Sequence, residues 1–490
     1  MKDVIVIGGG VAGLTAARTC ARVGLSVTVL EATDVPGGAL GSHEVAGLTL
    51  DSGAESFAVR RGVVAEFIAD LGLSDEVVWP NPAGAWLQLP DDRVPNASIS
   101  VPLPKAGVLG IPGSPLADDV RRVIGWSGAW RAYADRLMPV LTIGREHSLG
   151  DLVRKRMGRR VLERLVEPVT AGVYSSSADD LEIDVVAPGL NSALTVTGSL
   201  SGAVLALRSG APAGSNVAGL RGGMSRLVAA LVADLVHFDA RIVTDAPVTA
   251  IERTGTEDAP IWTVTCTASA AADAPEDLAQ ESTLDARFVI IATPGAQALS
   301  LMADLSPAHE ALAELDWPQP TAIELVTIVI DAPGLDVHPR GTGVLVAAKT
   351  PGVTAKALTH VTAKWEWLAA AAGPGRHVVR LSYGRAGQDN PTAGLSDEEL
   401  LGLALQDART ILGVDLDAAA VRGFARTVWG DALSPATVGA PERVNQVREV
   451  VATTPGLELT GAWLAGTGLA SVIPDAVAAA SRTRHEALGM

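Results

Sequence analysis

Asp3-Val4-Ile5-Val6-Ile7-Gly8-Gly9-Gly10-Val11-Ala12-Gly13 opens the chain, and its reading decides the fold. Val4 to Ile7 form an unbroken apolar run, which predicts a parallel strand covered on both faces. The glycines follow at once and give way to a helix-forming stretch from Leu14 to Val23. A second strand, Ser26 to Leu30, ends on Glu31. Strand, glycine turn, helix, strand and acid stand in the order and spacing of a dinucleotide site. Gly8 permits the tight turn, Gly10 removes the side chain that would hold a pyrophosphate off the backbone, and Gly13 lets the helix lie close on the strand. Gly9, Val11 and Ala12 complete the turn. The helix N-terminus offers unpaired N–H groups and partial positive charge to phosphates. Glu31 is placed to accept from ribose hydroxyls. A glycine turn with no ligand is the competing reading, and the flanking strands and the acid count against it.

The residues that follow favour FAD over NAD. Val35-Pro36-Gly37-Gly38 reads as a second glycine turn, and Leu40–Val45 and Leu48–Asp51 read as a hairpin around Ala46-Gly47. Ser52-Gly53-Ala54-Glu55-Ser56-Phe57 comes next. A plain NAD unit would pass directly to another crossover helix, whereas an extra turn and a returning strand suit a longer dinucleotide.

The bulk composition sets limits on function. Of 490 residues, 48% are hydrophobic and 19% charged, so a large core is expected and disorder is not. Asp and Glu number 55 against 38 Lys and Arg, a net charge of −17. Such a chain is expected to avoid nucleic acid. Cys20 and Cys266 cannot make a disulfide framework and read as two buried small hydrophobes in a reducing compartment. No apolar run reaches the ~18 residues of a spanning helix. The first apolar stretch is already a strand of the fold and not a signal peptide. The expected location is cytoplasmic, with peripheral membrane contact left open. The eight histidines, His43, His147, His237, His309, His338, His360, His377 and His485, are scattered without metal-ligand spacing, and no GxSxG nucleophile motif is present.

Farther along, residues 62–115 predict a helix (Val63–Leu71) and short proline-broken strands. Residues 116–215 read as helical, including Leu149–Met157 and Arg159–Val166. Gly222-Gly223-Met224 leads into a helix, Arg226–Leu235. Trp262–Thr267 and Leu284–Phe288 predict a hairpin joined by an exposed loop over 268–281, and Val289 to Ala292 predict a separate apolar strand. Ala322–Ile330, Gly343–Ala348, Ala357–Thr362 and His377–Tyr383 read as strands of a second sheet. Leu457–Thr460, the turn Gly461 to Leu469 and a helix from about Pro474 close the chain. The fold class expected is α/β: an FAD-binding, Rossmann-like domain assembled from discontinuous segments (1–61, 216–299 and 426–490), a mixed-sheet substrate domain (62–115 and 300–425) and a helical insertion (116–215).

With these pieces in order, the sequence resembles the oxygen-dependent protoporphyrinogen and coproporphyrinogen oxidases, within the amine-oxidase-like FAD flavoproteins. Gly8 to Gly13, Glu31, Gly37-Gly38 and Gly461 to Leu469 carry the wider likeness. Arg156, Gly158, Glu167-Pro168, Gly172-Val173-Tyr174, the run Gly219 to Met224, Leu381 to Gly384 and Trp429 carry the narrower one, which spans nearly the whole chain. Three positions depart from the pattern: Ala39 after the glycine pair, Thr467 to Ser471 in the terminal turn, and Ser434-Pro435-Ala436 after Trp429.

The resemblance implies a six-electron oxidation of a porphyrinogen to a porphyrin in heme biosynthesis. FAD takes the electrons, and oxygen reoxidises it with release of hydrogen peroxide. It also implies residue roles: Gly8 to Gly13 at the pyrophosphate and Glu31-Ala32 at the ribose. Ala39, Gly53, Ala54, Glu55 and Ser56 would line the path to the isoalloxazine. Val248 would meet the adenine through its backbone, and Trp429, Ala462, Thr467, Gly468 and Leu469 would border the ring. No catalytic base is identified. Arg60, Arg61 and Lys364 are candidate anchors for substrate propionates, though each alone reads more readily as an ordinary surface charge. Coproporphyrinogen III is favoured as the more water-soluble substrate, and protoporphyrinogen IX is the alternative. A downstream chelatase is a candidate transient partner. An amine oxidase or carotenoid desaturase shares the fold and FAD but lacks Gly172-Val173-Tyr174; a non-enzymatic flavin or heme-delivery protein ranks third.

Overall fold

The structure, a computed structural model, describes residues 2–59, 62–139, 145–209, 217–255, 260–267, 282–318, 322–430 and 436–489. Arg60 and Arg61, the whole of the 268–281 loop and Ser434-Pro435 lie outside these residues.

The opening unit folds as its pattern requires. Strand β1 (Lys2–Ile7) runs into helix α1 (Val11–Ala21) and then strand β2 (Val27–Leu30). β1 and β2 pair in parallel. The sheet continues in the order Arg241–Val243, β2, β1, Ser282–Ile291, Pro260–Cys266, Val248–Gly255. Ser282–Ile291 is one continuous strand and not the two expected pieces. Its first half pairs antiparallel with Pro260–Cys266, and its second half pairs parallel with Leu457–Leu459. The change from alternating to apolar residues within Ser282–Ile291 marks this change of neighbour and not a break in the strand. β1, Ser282–Ile291 and Leu457–Leu459 therefore end side by side, and helices leave from that edge. In an open parallel sheet the carboxyl ends of the strands form the ligand crevice.

The closing helix spans Leu469–Leu488 and starts earlier than Pro474, which sits inside it. Lacking an N–H, Pro474 removes one internal hydrogen bond near the start of the helix without ending it. This helix lies beside α1: the Cys20 thiol faces the Ala480 carbonyl at 3.9 Å, and both helices bury residues in one core with Leu14, Ala17, Ile473, Ala476 and Ala480. Burial pushes the Cys20 thiol up to about 12, and both cysteines are unbridged.

The second sheet has the order Val421–Trp429, Ile323–Asp331, Arg376–Tyr383, Ala357–His360, Gly343–Val346, Ala85–Pro90, Ser98–Pro102. Its last strand runs to Trp429, past the expected division at 425. The helical stretch packs against it: a Cβ on Gly172 would come 2.5 Å from Leu345 Cδ2, so a larger residue there would part the two. Arg156 is buried and spends its guanidinium inside the insertion, on the Asp135 carboxylate and the carbonyls of Asp135, Met138 and Gly198. Glu182, also buried, accepts from Gly439 N at 3.3 Å and meets His147 Nδ1 at 3.1 Å. That contact ties the insertion to the segment after Trp429.

No single helix among the described residues is long and apolar enough to cross a membrane. The pair Leu190–Thr197 and Leu200–Arg208 matches a span in length and composition but is bent by 117°. The histidines are less scattered than the sequence suggests. His360 and His377 lie on neighbouring antiparallel strands, with His360 Nε2 3.0 Å from His377 Nδ1, and His338 packs edge-on against His360. Among the described residues no group of His, Cys, Asp and Glu could hold a metal ion.

Candidate functional site

The glycine turn forms a cradle with an open front. A Cβ on Gly13 would lie 1.9 Å from the Gly8 carbonyl oxygen, so only glycine lets α1 close onto the turn. A Cβ on Gly10 would meet nothing within 4 Å. Gly10 N-caps α1 without a side-chain hydrogen bond, and the first turn, which includes Val11 and Ala12, carries no acid. The first N–H groups of α1 thus face open space with the helix's partial positive charge behind them, the arrangement an anionic pyrophosphate requires.

Glu31 closes one side. Its carboxylate accepts from Gly9 N at 2.6 Å and from Thr33 N and Oγ1 at 2.9 and 2.7 Å. The acid therefore sets the glycine turn and keeps further lone pairs for another donor. Thr33 carried no sequence signal. Ala246 N donates to the Glu31 carbonyl at 2.9 Å and Asp245 N to the Thr33 carbonyl at 2.9 Å, which brings Val248, two residues on, to the Glu31–Ala32 end of the cradle.

The second glycine turn lies on the first: Gly37 N donates to the Gly9 carbonyl at 2.9 Å. From there Ala39 leads outward, its carbonyl accepting from Ala54 N at 2.9 Å. A Cβ on Gly53 would fall 2.3 Å from that carbonyl. The Trp429 indole donates to the Ser52 carbonyl at 3.0 Å, so this tryptophan is seated on the Ser52–Gly53 turn. Across the crevice, Ala462 begins a short helix (Ala462–Ala465), and Thr467, Gly468 and Leu469 lead into the closing helix, again uncapped by any side chain and free of acid in its first turn. A Cβ on Gly466 or Gly468 would meet nothing within 4 Å. Two open helix N-termini, free of acids in their first turns, fit an elongated, doubly phosphorylated cofactor.

Glu55 and Lys364 have a different neighbourhood from the one expected. Glu55 is buried and its carboxylate is held by Lys364 Nζ and by Arg380, 3.1 Å away. Burial raises the Glu55 carboxyl, but the two cations outweigh it and hold the group below the usual range. Arg380 also donates to the carbonyls of Asp51 and Gly53 at 3.2 and 2.9 Å. Lys364 is thus spent on an internal ion pair across 309 positions of sequence. Arg380 and Asp51 were not anticipated. Asp51 accepts from Met224 N at 2.7 Å, and burial pushes its carboxyl up to about 6. A cavity of about 20 Å³ beside Asp51, Glu55 and Arg380 has room for about one water.

Comparison with known proteins agrees with this geometry. The model of the flavin-containing amine oxidoreductases matches residues 11–483. The coproporphyrinogen III oxidase of Mycobacterium tuberculosis (strain ATCC 25618 / H37Rv) is 31% identical, with 98% of this chain and 96% of the relative covered. That of Bacillus subtilis (strain 168) is 26% identical, with 98% and 97% covered. A crystal structure from Exiguobacterium sp. 255-15, provisionally named a protoporphyrinogen oxidase, superimposes with a TM-score of 0.79 at 26% identity, over 100% of this chain and 99% of that one. The cradle is accordingly that of an FAD oxidoreductase, and the chain belongs to the flavin-containing amine oxidoreductases and, within them, to the protoporphyrinogen and coproporphyrinogen oxidase family.

Proposed function

We propose that the protein oxidises coproporphyrinogen III to coproporphyrin III in heme biosynthesis, with oxygen as the final acceptor. The observation that carries this reading is the end-to-end relation to coproporphyrinogen III oxidases in a chain whose glycine cradle is open to a flavin dinucleotide. Six electrons and six protons leave the macrocycle, and three molecules of oxygen become three of hydrogen peroxide. FAD, when bound, supplies the electron-pair acceptor. The chain's own part is to hold it: Gly8 to Gly13 at the pyrophosphate, Glu31-Ala32 and Val248 at the adenosine end. Ala39, Gly53 to Ser56, Trp429, Ala462 and Thr467 to Leu469 line the ring end. The three-part division into FAD-binding, substrate and helical regions belongs to the same proposal, with the substrate held between the second sheet and the ring.

Purified protein supplied with coproporphyrinogen III in air is expected to give porphyrin fluorescence with three peroxides per porphyrin. The same assay with protoporphyrinogen IX, expected to be slower, ranks the two substrates. Turnover of simple amines with no porphyrin formed from either substrate would overturn the reading. Porphyrin formed without peroxide would remove oxygen as the acceptor.

A further inference from the structure

Lys356 is one of the largest fully buried side chains in the molecule, only 2% exposed, and no step above uses it. It lies just before the strand Ala357–His360, with its backbone N–H on Ser382 O and its carbonyl on Val346 N. Among the described residues its ammonium has one hydrogen-bond partner, the Ser175 hydroxyl, and no ion pair. A buried cation ordinarily has a carboxylate beside it, because its desolvation is otherwise uncompensated. The charged group that acts on it is another cation. Arg385 lies close enough for repulsion to help hold the Lys356 amine down, after burial, at about 7.

Arg385 is also underused. Its guanidinium donates to the Val346 carbonyl at 3.3 Å and makes no ion pair among the described residues. Glu167 attracts Arg385 through space without reaching ion-pair distance. Glu167 Oε1 accepts from Ser177 Oγ and Ala178 N at 3.1 and 3.2 Å, and its carboxyl is raised by burial. Asp407 takes the N–H groups of Thr354 and Ala355 and the Tyr383 hydroxyl. Lys356 and Arg385 therefore share one largely buried corner in which, among the described residues, neither has a carboxylate in ion-pair contact.

Ser175 stands between them in a held conformation. Its backbone is left-handed (φ 56°), and its carbonyl accepts from Ala386 N at 2.7 Å, which fixes it beside Arg385. Since Lys356 donates to Ser175 Oγ, the hydroxyl proton must point to some other acceptor. The corner lies where Glu167 to Ser177 of the helical insertion meets the end of Arg376–Tyr383 in the second sheet.

Resting on the proposed function, we infer that Arg385 and Ser175 form a binding site for one propionate carboxylate of the porphyrinogen, with Lys356 as a positioning residue that orients the Ser175 hydroxyl. Arg385 and the serine O–H would both donate to the carboxylate, and its charge would compensate the two cations. The anchor proposed here falls on residues far apart in sequence, whereas Lys364 is spent on Glu55.

The test is steady-state kinetics on flavin-loaded enzyme with coproporphyrinogen III and its tetramethyl ester, between pH 6 and 9. Arg385→Ala is expected to raise KM for the tetra-acid about tenfold or more, the loss of a charge-assisted hydrogen bond, and to leave KM for the ester within about twofold. Ser175→Gly keeps the left-handed backbone and is expected to show the same split at smaller size. For the wild type, KM for the acid is expected to climb as pH rises through about 7, where Lys356 loses its proton. Lys356→Met is expected to flatten that climb. Should Lys356→Met fail to hold flavin, Arg385→Ala, whose side chain is only partly buried, decides alone. Equal KM values for Arg385→Ala and wild type on the acid, or an equal rise with the ester, would overturn the site. A wild type that oxidises neither porphyrinogen would instead overturn the proposed function.

Discussion

Gly10→Ala separates the protein's need for glycine from the cofactor's. Gly10 has φ −68° and ψ 175°, a conformation alanine adopts without strain, and its added methyl would touch no protein atom within 4 Å. The apoprotein should therefore fold as before. Removing a glycine also restricts the unfolded chain, worth about 0.4–1 kcal/mol in favour of folding. For a chain of this size that raises Tm by about 1 °C at most. The methyl instead enters the space in front of the α1 N-terminus. If a pyrophosphate occupies it, the phosphate must retreat from the first N–H groups and forfeit a charge-assisted hydrogen bond of about 1.5–3 kcal/mol. That corresponds to FAD binding weaker by about tenfold to a hundredfold. Gly13→Ala is the contrasting variant. Its methyl would lie 1.9 Å from the Gly8 oxygen, far inside contact distance, so α1 must lift from the turn. Overpacking of this kind costs about 1–3 kcal/mol and should lower the apoprotein's Tm as well as its affinity. The assay strips flavin with concentrated bromide, follows melting of each apoprotein, and titrates FAD by quenching of flavin fluorescence. A Gly10→Ala protein that binds FAD as tightly as wild type would refute the assignment of this space to the pyrophosphate. One that melts several degrees lower without flavin would refute the claim that the space is open.

Two further outcomes follow from the buried charges. Asp51 has its carboxyl raised to about 6 by burial, so the fold favours its neutral form. The resulting penalty is fully present above about 6 and fades as pH falls from there towards 4. Asp51→Asn, which keeps an acceptor for Met224 N, should raise Tm at pH 8 and lose most of that gain by pH 4.5; a gain independent of pH would reject the burial argument. Lys364→Met removes one of the two cations on buried Glu55 and should destabilise by about 3–5 kcal/mol, measured by urea unfolding. A change below about 1 kcal/mol would mean Arg380 alone satisfies Glu55.

The first 31 residues were legible because their information is local. A glycine where the backbone must approach, an apolar run between turns and an acid at a strand end each act within a few positions of themselves. The hairpin of Ser42–Val45 and Leu48–Asp51 around Ala46-Gly47 was legible for the same reason. Reading failed where a residue's role is set by its partner. Ser282–Ile291 reads as two pieces because its pattern shifts where its neighbour changes, yet the backbone runs straight through. Lys364 looked free because Glu55 is 309 positions away. Lys356 is one lysine among alanines and threonines, and nothing nearby announces that it ends up on Ser175, 181 positions distant.

The net charge of −17 shows why the bulk figure is a poor guide to anion binding. Charges farther apart than about 8 Å are largely screened at physiological salt, so a bound phosphate or carboxylate feels its own corner and little else. Such corners are not rich in bases; their acids are spent on other donors, as Glu31 is on Gly9 N and Glu167 on Ser177 and Ala178. Neither the α1 N-terminus nor that of Leu469–Leu488 has an acid in its first turn, and neither is capped by a side chain. Around Lys356 and Arg385 the available carboxylates are bonded to other donors. An anion gains there because groups that would compete for the same N–H and guanidinium donors have been kept out. A net charge of −17 is thus compatible with corners that offer free donors to an anion, because the acids there are spent on other donors or absent from the helix's first turn.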